Sequence, residues 1–536
     1  MKKKVLLLLT SLSIMFAFCS CEAVDTITNV NNKINGFVWG WFGVILLVGT
    51  GIIMTILTKV FQITHIGHWF KETLGSLFKK DVTSHVKEKG TISQFQALCT
   101  ALAATIGVGN IAGVAAAIVT GGPGAVFWMW VAAFFGMMTN YSENVLGIFY
   151  RRKNKDNEWS GGAMYYLRDG LGAKKGFKTI GKVLSIIFAC FTLLASMGIG
   201  NMGQVNKIVV NFEDAFKFES LSNIKFGEIS LYSILIGVAL MIIGALIIIG
   251  GLKRIANVAE KVVPFMVVLF IIGSLVIIGV NYNQIGAAFS AIFGSAFKAN
   301  AVWGGAGGYV LAQIIQSGFK RGVFSNEAGL GSSVMVHSNS NVVEPVKQGI
   351  WGIFEVFADT MVVCTMTALV VLTSGVIDLK TGVLAEGTSG DATLVAKAFD
   401  TVFDFGIGFG SKFIAIAILL FAFTTVLGWS HYGTKAFEYL FGTKATMYYK
   451  VFFVVMIISG AVMTSSLAWD ISDTFNGLMM IPNLIGVLSL SGLVMKITKN
   501  YVDRKLKGKK DIRPLLSYDN DIQLEQEAAI KADGEE

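Results

Sequence analysis

Proline, cysteine, histidine and charge are all scarce in this chain of 536 residues. Only five prolines interrupt it, so long stretches are free to remain helical. Charged residues make up 15% against 54% hydrophobic ones, and the mean hydropathy is +0.64. A water-soluble fold of this length could not cover so much apolar surface, so that class is excluded. With five cysteines there is no disulfide framework and no metal-ligand spacing. Cys19 and Cys21 fall in the first apolar stretch, and Cys99, Cys190 and Cys364 stand alone inside apolar segments. The formal net charge of +9 would suggest nucleic acid in a soluble protein. Here the basic residues lie in loops between apolar segments, where they set orientation; the expected partner is a lipid bilayer and no nucleic acid.

What is present is a series of apolar segments of membrane-crossing length. Residues 1–21 have a basic start, a short apolar run and small or thiol residues, the pattern of a signal peptide. Taking about 20 residues per crossing, eleven spans follow near 37–58, 93–119, 123–150, 180–210, 229–251, 257–280, 300–322, 347–373, 409–434, 450–468 and 474–496. The loops after the first, third, fifth, seventh and ninth spans are basic, Lys320 and Arg321 being counted after the seventh. The positive-inside rule then places the N-terminus outside and the C-terminus in the cytoplasm. Residues 61–89, with Trp69, Phe70, Leu74, Leu77 and Phe78 among lysines, read as an amphipathic helix on the cytoplasmic surface, within a leading unit 22–92. Residues 511–536 are polar and acidic, and a disordered tail is expected from 501 onward.

The chain is organised around Thr100–Gly113, TALAATIGVGNIAG. Gly107 and Gly109 each cost about 1 kcal/mol relative to Ala in a helix, and Thr105 and Asn110 can serve the backbone groups that a break would free. Unwound backbone at membrane depth survives only where protein buries it or a cavity receives it, so this segment reads as a binding site. With the first span set aside, the rest divides into two sets of five, 93–280 and 281–500. Five is odd, so the second set is inverted. Its first span carries Trp303-Gly-Gly-Ala-Gly-Gly308, expected to be the second break. Polar residues collect inside other apolar spans as well: Gly200, Asn201 and Gln204; Gln313 and Gln316; Thr424, Thr425 and Trp429. Such neutral oxygens suit a small alkali cation. No carboxylate is visible among them, which argues against a proton relay. Gly198-Ile-Gly-Asn-Met-Gly203 matches a dinucleotide fingerprint by letter, but no strand precedes it. Ser430-His431 and His337 raise an intramembrane enzyme, yet no nucleophile, base and orienting group assemble in sequence.

Three segments carry a family resemblance: GTISQFQALCTALAATIGVGNIAG at 90–113, GGPGAVFWMWVAAFFG at 121–136 and RGVFSNEAGLGSS at 321–333. Together they resemble the alanine/glycine:cation symporter family, across about 37–500. The resemblance implies an all-α polytopic protein with a leucine-transporter-like 5+5 inverted repeat and an extra leading span. It implies sodium-coupled uptake of small neutral amino acids across a bacterial plasma membrane, with sodium as the co-transported ion; a monomer is expected. Carried over by residue, the substrate set is Thr105, Gly109, Asn110, Gly200, Gln204, Thr425 and Trp429, and the sodium set is Thr105, Val108, Thr424 and Thr425. No charged residue of span seven aligns with a partner for the substrate ammonium.

Overall fold

The computed structural model describes residues 21–532, except 87, 89, 298–310, 380–381, 407 and 464–466. Residues 1–20 of the signal-peptide segment and the glycine cluster at 303–308 lie outside the described residues. Elements α1 (Cys21–Val38) and α2 (Trp41–Leu57) lead into α3 (Gln94–Thr105), a bend, α4 (Val114–Gly121) and α5 (Gly124–Phe149). Next come α6 (Lys178–Met197), α7 (Gly203–Phe216), α8 (Leu231–Ile248), α9 (Leu252–Val280) and α10 (Ile285–Ser295). The second half holds α11 (Leu311–Asn326), α12 (Pro345–Val356), α13 (Thr365–Thr373), α14 (Ala392–Asp400), α15 (Phe409–Phe441), α16 (Thr446–Ala461), α17 (Leu467–Ser489) and α18 (Ser491–Tyr501), with α19 (Asn520–Ala532) in the tail. The described strands form two short hairpins in loops.

Among the described residues, seven helices are long and apolar enough to cross a membrane, or nine if each of two bent pairs is one span. Of the remaining expected spans, 123–150 coincides with α5, and the described part of 300–322 lies in α11. Helix α5 is more polar than its neighbours because its second half is a buried network. Asn140 Nδ2 donates to Glu355 Oε2 at 3.0 Å, Asn144 Nδ2 to Asn140 Oδ1 at 3.0 Å, and Asn483 to Glu143. Polar groups at such depth persist when each finds a partner inside the bundle.

Three expectations are corrected. Lys320 and Arg321 belong to no loop; they lie within α11, where Lys320 Nζ pairs with Asp473 Oδ2 at 3.0 Å and reaches Asn35 Oδ1 at 3.3 Å. An ion pair with matched hydrogen bonds lets charge sit inside a span, which a charge count along the chain reads as a loop. The amphipathic segment is several short turns, Phe61–Thr64, Ile66–Glu72 and Leu74–Ser76, instead of one helix. Its apolar residues divide between surfaces: Trp69 is buried with Nε1 donating to the Gln62 carbonyl at 2.9 Å, while Phe78 is 95% exposed. The tail is ordered over its described length. Leu516 is buried, the Leu516 and Ser517 N–H groups both donate to Gln523 Oε1 at 2.9 Å, and the Tyr518 N–H donates to the Phe149 carbonyl at 3.1 Å. A few anchors hold it, too few to leave an apolar period in the sequence.

Candidate functional site

Helix α3 starts on a capping box: Ser93 Oγ accepts from the Gln96 N–H at 3.1 Å while Gln96 Oε1 accepts from the Ser93 N–H at 3.2 Å. It ends at Thr105, and the chain bends by 55° before resuming from Gly109. The Gly107 N–H exposed by the bend donates to Asn110 Oδ1 at 2.9 Å. A side chain at 107 would place its Cβ 2.7 Å from Thr425 Oγ1 and 3.5 Å from Gln204 Oε1, and one at 109 would stand 3.1 Å from the Phe324 ring. Both glycines therefore allow close approach of backbone to neighbouring groups.

The facing interruption follows α11. Glu327 (φ +56°), Gly329 (φ +93°) and Gly331 (φ +73°) all have left-handed backbone between α11 and the short turn Val334–His337. A non-glycine residue is uncommon there, so Glu327 is held by its surroundings. Its carboxylate accepts from Trp429 Nε1 at 2.9 Å and from the Ser332 hydroxyl at 2.5 Å.

The two interruptions meet at a cavity of about 20 Å³, room for roughly one water-sized particle. Its wall includes Thr105, Gly107, Gly109, Gln204, Thr425 and Trp429, as well as Phe324, Glu327 and Asn476. Thr105 Oγ1, Gln204 Oε1 and Asn476 Oδ1 are buried and have no hydrogen-bond partner. Thr425 donates its hydroxyl to the Phe421 carbonyl at 3.0 Å, which leaves its oxygen lone pairs for the break. Buried acceptors without donors are uncommon and call for an explanation, an ion or a water among them.

The structure thus brings Thr105, Gly109, Gln204, Thr425 and Trp429 of the anticipated residues to one wall. Gly200 is not at the surface of the cavity; it lies directly behind Trp429, in a wide helical turn between α6 and α7. Asn110 faces away, since its amide donates to Asp359 Oδ1 at 2.7 Å; Ser325 and Thr360 also donate to Asp359, at 2.6 and 2.8 Å. That carboxylate ties the first break to the end of α11. Val108 is buried at the start of the turn after the break. Thr424 turns toward α9, its hydroxyl 3.7 Å from Met266 Sδ, because adjacent helical residues point about 100° apart. Gln313 donates to the Thr120 carbonyl at 3.0 Å and Asn201 to the Phe453 carbonyl at 2.7 Å, both as links between helices.

Glu327 and Asn476 were not anticipated. Glu327 stands in the RGVFSNEAGLGSS segment, but it follows Lys320 and Arg321, which the charge pattern assigned to a loop. The expectation that no carboxylate accompanies the neutral oxygens is overturned by its position on the cavity wall.

Comparison with known proteins identifies the family and the fold. The model of the sodium:alanine symporter family matches residues 24–514. The chain is 43% identical over 472 residues to the sodium/alanine symporter AgcS of Methanococcus maripaludis, covering 88% of this chain and 96% of that one. It is 34% identical over 502 residues to the probable sodium/glutamine symporter GlnT of Bacillus subtilis, with 93% and 96% covered. Among solved structures, MhsT in complex with L-phenylalanine superposes with a TM-score of 0.51 at 12% identity, over 77% of this chain and 99% of that one. The leucine-transporter-like fold is shared with it.

Proposed function

The chain belongs to the sodium:alanine symporter family, and from that premise we propose that it imports a small neutral amino acid, alanine or glycine, together with sodium by alternating access. The observation that carries the reading is the grouping of three partnerless oxygens and one carboxylate where two interrupted helices meet.

Sodium, as cargo, is taken between the Thr105 hydroxyl, the carbonyls of Thr105–Val108, Thr425 Oγ1 and Gln204 Oε1. These hard neutral donors hold an alkali cation weakly enough for release. An ion in that place fastens the α3 break to α15, and it biases the transporter by its differential affinity for the two access states. The amino-acid carboxylate lies toward the N–H groups after the break, at the positive end of the second half-helix. The ammonium is directed to Glu327, which supplies the charged partner that span seven lacked in sequence. In the conformation described, the cavity is too small for an amino acid, so Trp429 and Phe324 have to move apart on loading. The relatives' names divide between alanine and glutamine; the close walls of Trp429, Phe324 and Ile199 favour the smaller side chain. We place the protein in the plasma membrane as a monomer, N-terminus outside and C-terminus in the cytoplasm.

Labelled alanine should enter proteoliposomes when an inward sodium gradient is imposed, and unlabelled glycine should compete better than glutamine. Uptake indifferent to the gradient would contradict the mechanism. Thr425→Val should raise the sodium concentration for half-maximal uptake by about tenfold, the value of one lost hydrogen-bond-scale contact to a charge. Thr424→Val should leave it unchanged, since that hydroxyl faces Met266. Equal effects in both variants would remove this sodium geometry.

A further inference from the structure

A second cavity, of about 340 Å³, lies on the face where the basic loops gather. Helix α15 joins it to the central site: Thr425 and Trp429 line the first cavity, and His431, Lys435 and Glu438 line the second. Its wall carries Lys253, Lys435 and Lys450 against Asp156, Glu158 and Glu438, so neither sign of charge prevails. Lys435 Nζ is engaged with Glu438 Oε2 at 3.1 Å, Ser160 Oγ at 3.1 Å and the Trp159 carbonyl at 3.0 Å. Lys253 Nζ donates to the Val86 carbonyl at 3.0 Å. Lys450 is half-buried and faces the cavity beside Gly251.

His431 lines this cavity from α15. It is 4% exposed, one ring nitrogen is bonded to the Met335 backbone, and Nε2 has no partner. With the Nδ1 hydrogen given to a carbonyl, a neutral imidazole presents its Nε2 lone pair as an acceptor without a donor. Ser430 does not supply that donor, because its hydroxyl turns back to the Leu427 carbonyl at 2.6 Å. A buried acceptor left open in a charge-balanced cavity of this size asks for a ligand that donates at one end and accepts at the other. A zwitterion does both; a simple anion or cation meets as much repulsion as attraction from the wall.

We propose that this cavity is a second amino-acid subsite on the release path, with His431 Nε2 accepting from the substrate ammonium and Lys450 Nζ receiving its carboxylate. The inference rests on the amino-acid transport reading above. The subsite holds the departing substrate while the central cavity closes behind it, so it acts on binding from the cytoplasmic face and leaves outer-face binding to the central site.

The test uses right-side-out membrane vesicles, with alanine as the probe on each side in turn. His431→Phe removes the acceptor at similar bulk, and Lys450→Met removes the charge while keeping the stem. In either variant, the internal alanine concentration for half-maximal efflux should rise about tenfold. The external concentration for half-maximal uptake and the sodium dependence should stay at wild-type values. Unchanged internal half-saturation in both variants, or equal changes on both faces, would overturn the subsite. Should His431→Phe fail to reach the membrane, Lys450→Met with His431→Leu decides the matter by the same readout. Absence of sodium-driven alanine uptake in the wild-type protein would instead overturn the transport reading itself.

Discussion

Glu327→Gln should weaken alanine binding by ten- to a hundredfold in a protein that still folds. The substitution keeps the volume and shape of the side chain, so packing on the cavity wall is retained. What changes is charge and accepting capacity. The carboxylate now accepts from both Trp429 Nε1 and the Ser332 hydroxyl; the amide of Gln can accept on one atom only, so Ser332 has to turn its hydroxyl and accept from the new NH₂. The ammonium also loses a charged acceptor, and a hydrogen bond to a charged group is worth roughly 1.5–3 kcal/mol, the stated range in affinity. Alanine binding and melting temperature measured on one preparation separate the two consequences. Glu327→Asp keeps the charge, draws it back by one methylene and should retain part of the affinity. Wild-type binding in Glu327→Gln would mean that the ammonium is held elsewhere.

Gly200→Ala should abolish uptake although it adds one methyl group outside the cavity. The new Cβ would stand 2.6 Å from Trp429 Cδ2, closer than real Cβ contacts allow. The indole cannot simply withdraw, for its nitrogen is bonded to Glu327 and its ring is edge-on to Tyr432 at 5.4 Å. Displacement is therefore into the cavity of about 20 Å³, which would close. Overpacking of this kind costs roughly 1–3 kcal/mol of stability, so the protein should still be recovered folded. Gly113→Ala is the control: a Cβ there meets nothing within 4 Å, and uptake should be normal. Normal uptake in Gly200→Ala would show that Trp429 is not a wall of the functional site.

The central site was legible in sequence wherever a polar or small residue interrupted an apolar span. Thr105, Gly109, Gln204 and Thr425 each violate the local rule for a lipid-facing helix, and that violation is visible one residue at a time. The interruption after α11 was not legible, and the glycine run at 303–308 lies outside the described residues. The glycine run at 303–308 is the more conspicuous local break in composition, whereas the left-handed residues Glu327, Gly329 and Gly331 follow a stretch whose lysine and arginine look like a loop. Lys320 lies inside a helix only because Asp473 and Asn35, distant in sequence, arrive to meet it. Asn110 was rightly seen as a residue able to serve the broken backbone, but nothing local shows that its amide would be claimed by Asp359.

By itself the sequence determined that the protein is helical, membrane-embedded and interrupted at Thr105–Gly113, because hydropathy and the backbone preferences of glycine act through neighbours along the chain. Tertiary structure alone decided which polar groups converge. Thr425 faces the break while Thr424 faces Met266, Glu327 enters the cavity beside Trp429, and His431 opens into a second cavity below. Those outcomes depend on helix rotation and on partners hundreds of residues away, and one turn of a helix by about 100° per residue is enough to exchange a site-lining hydroxyl for a packed one.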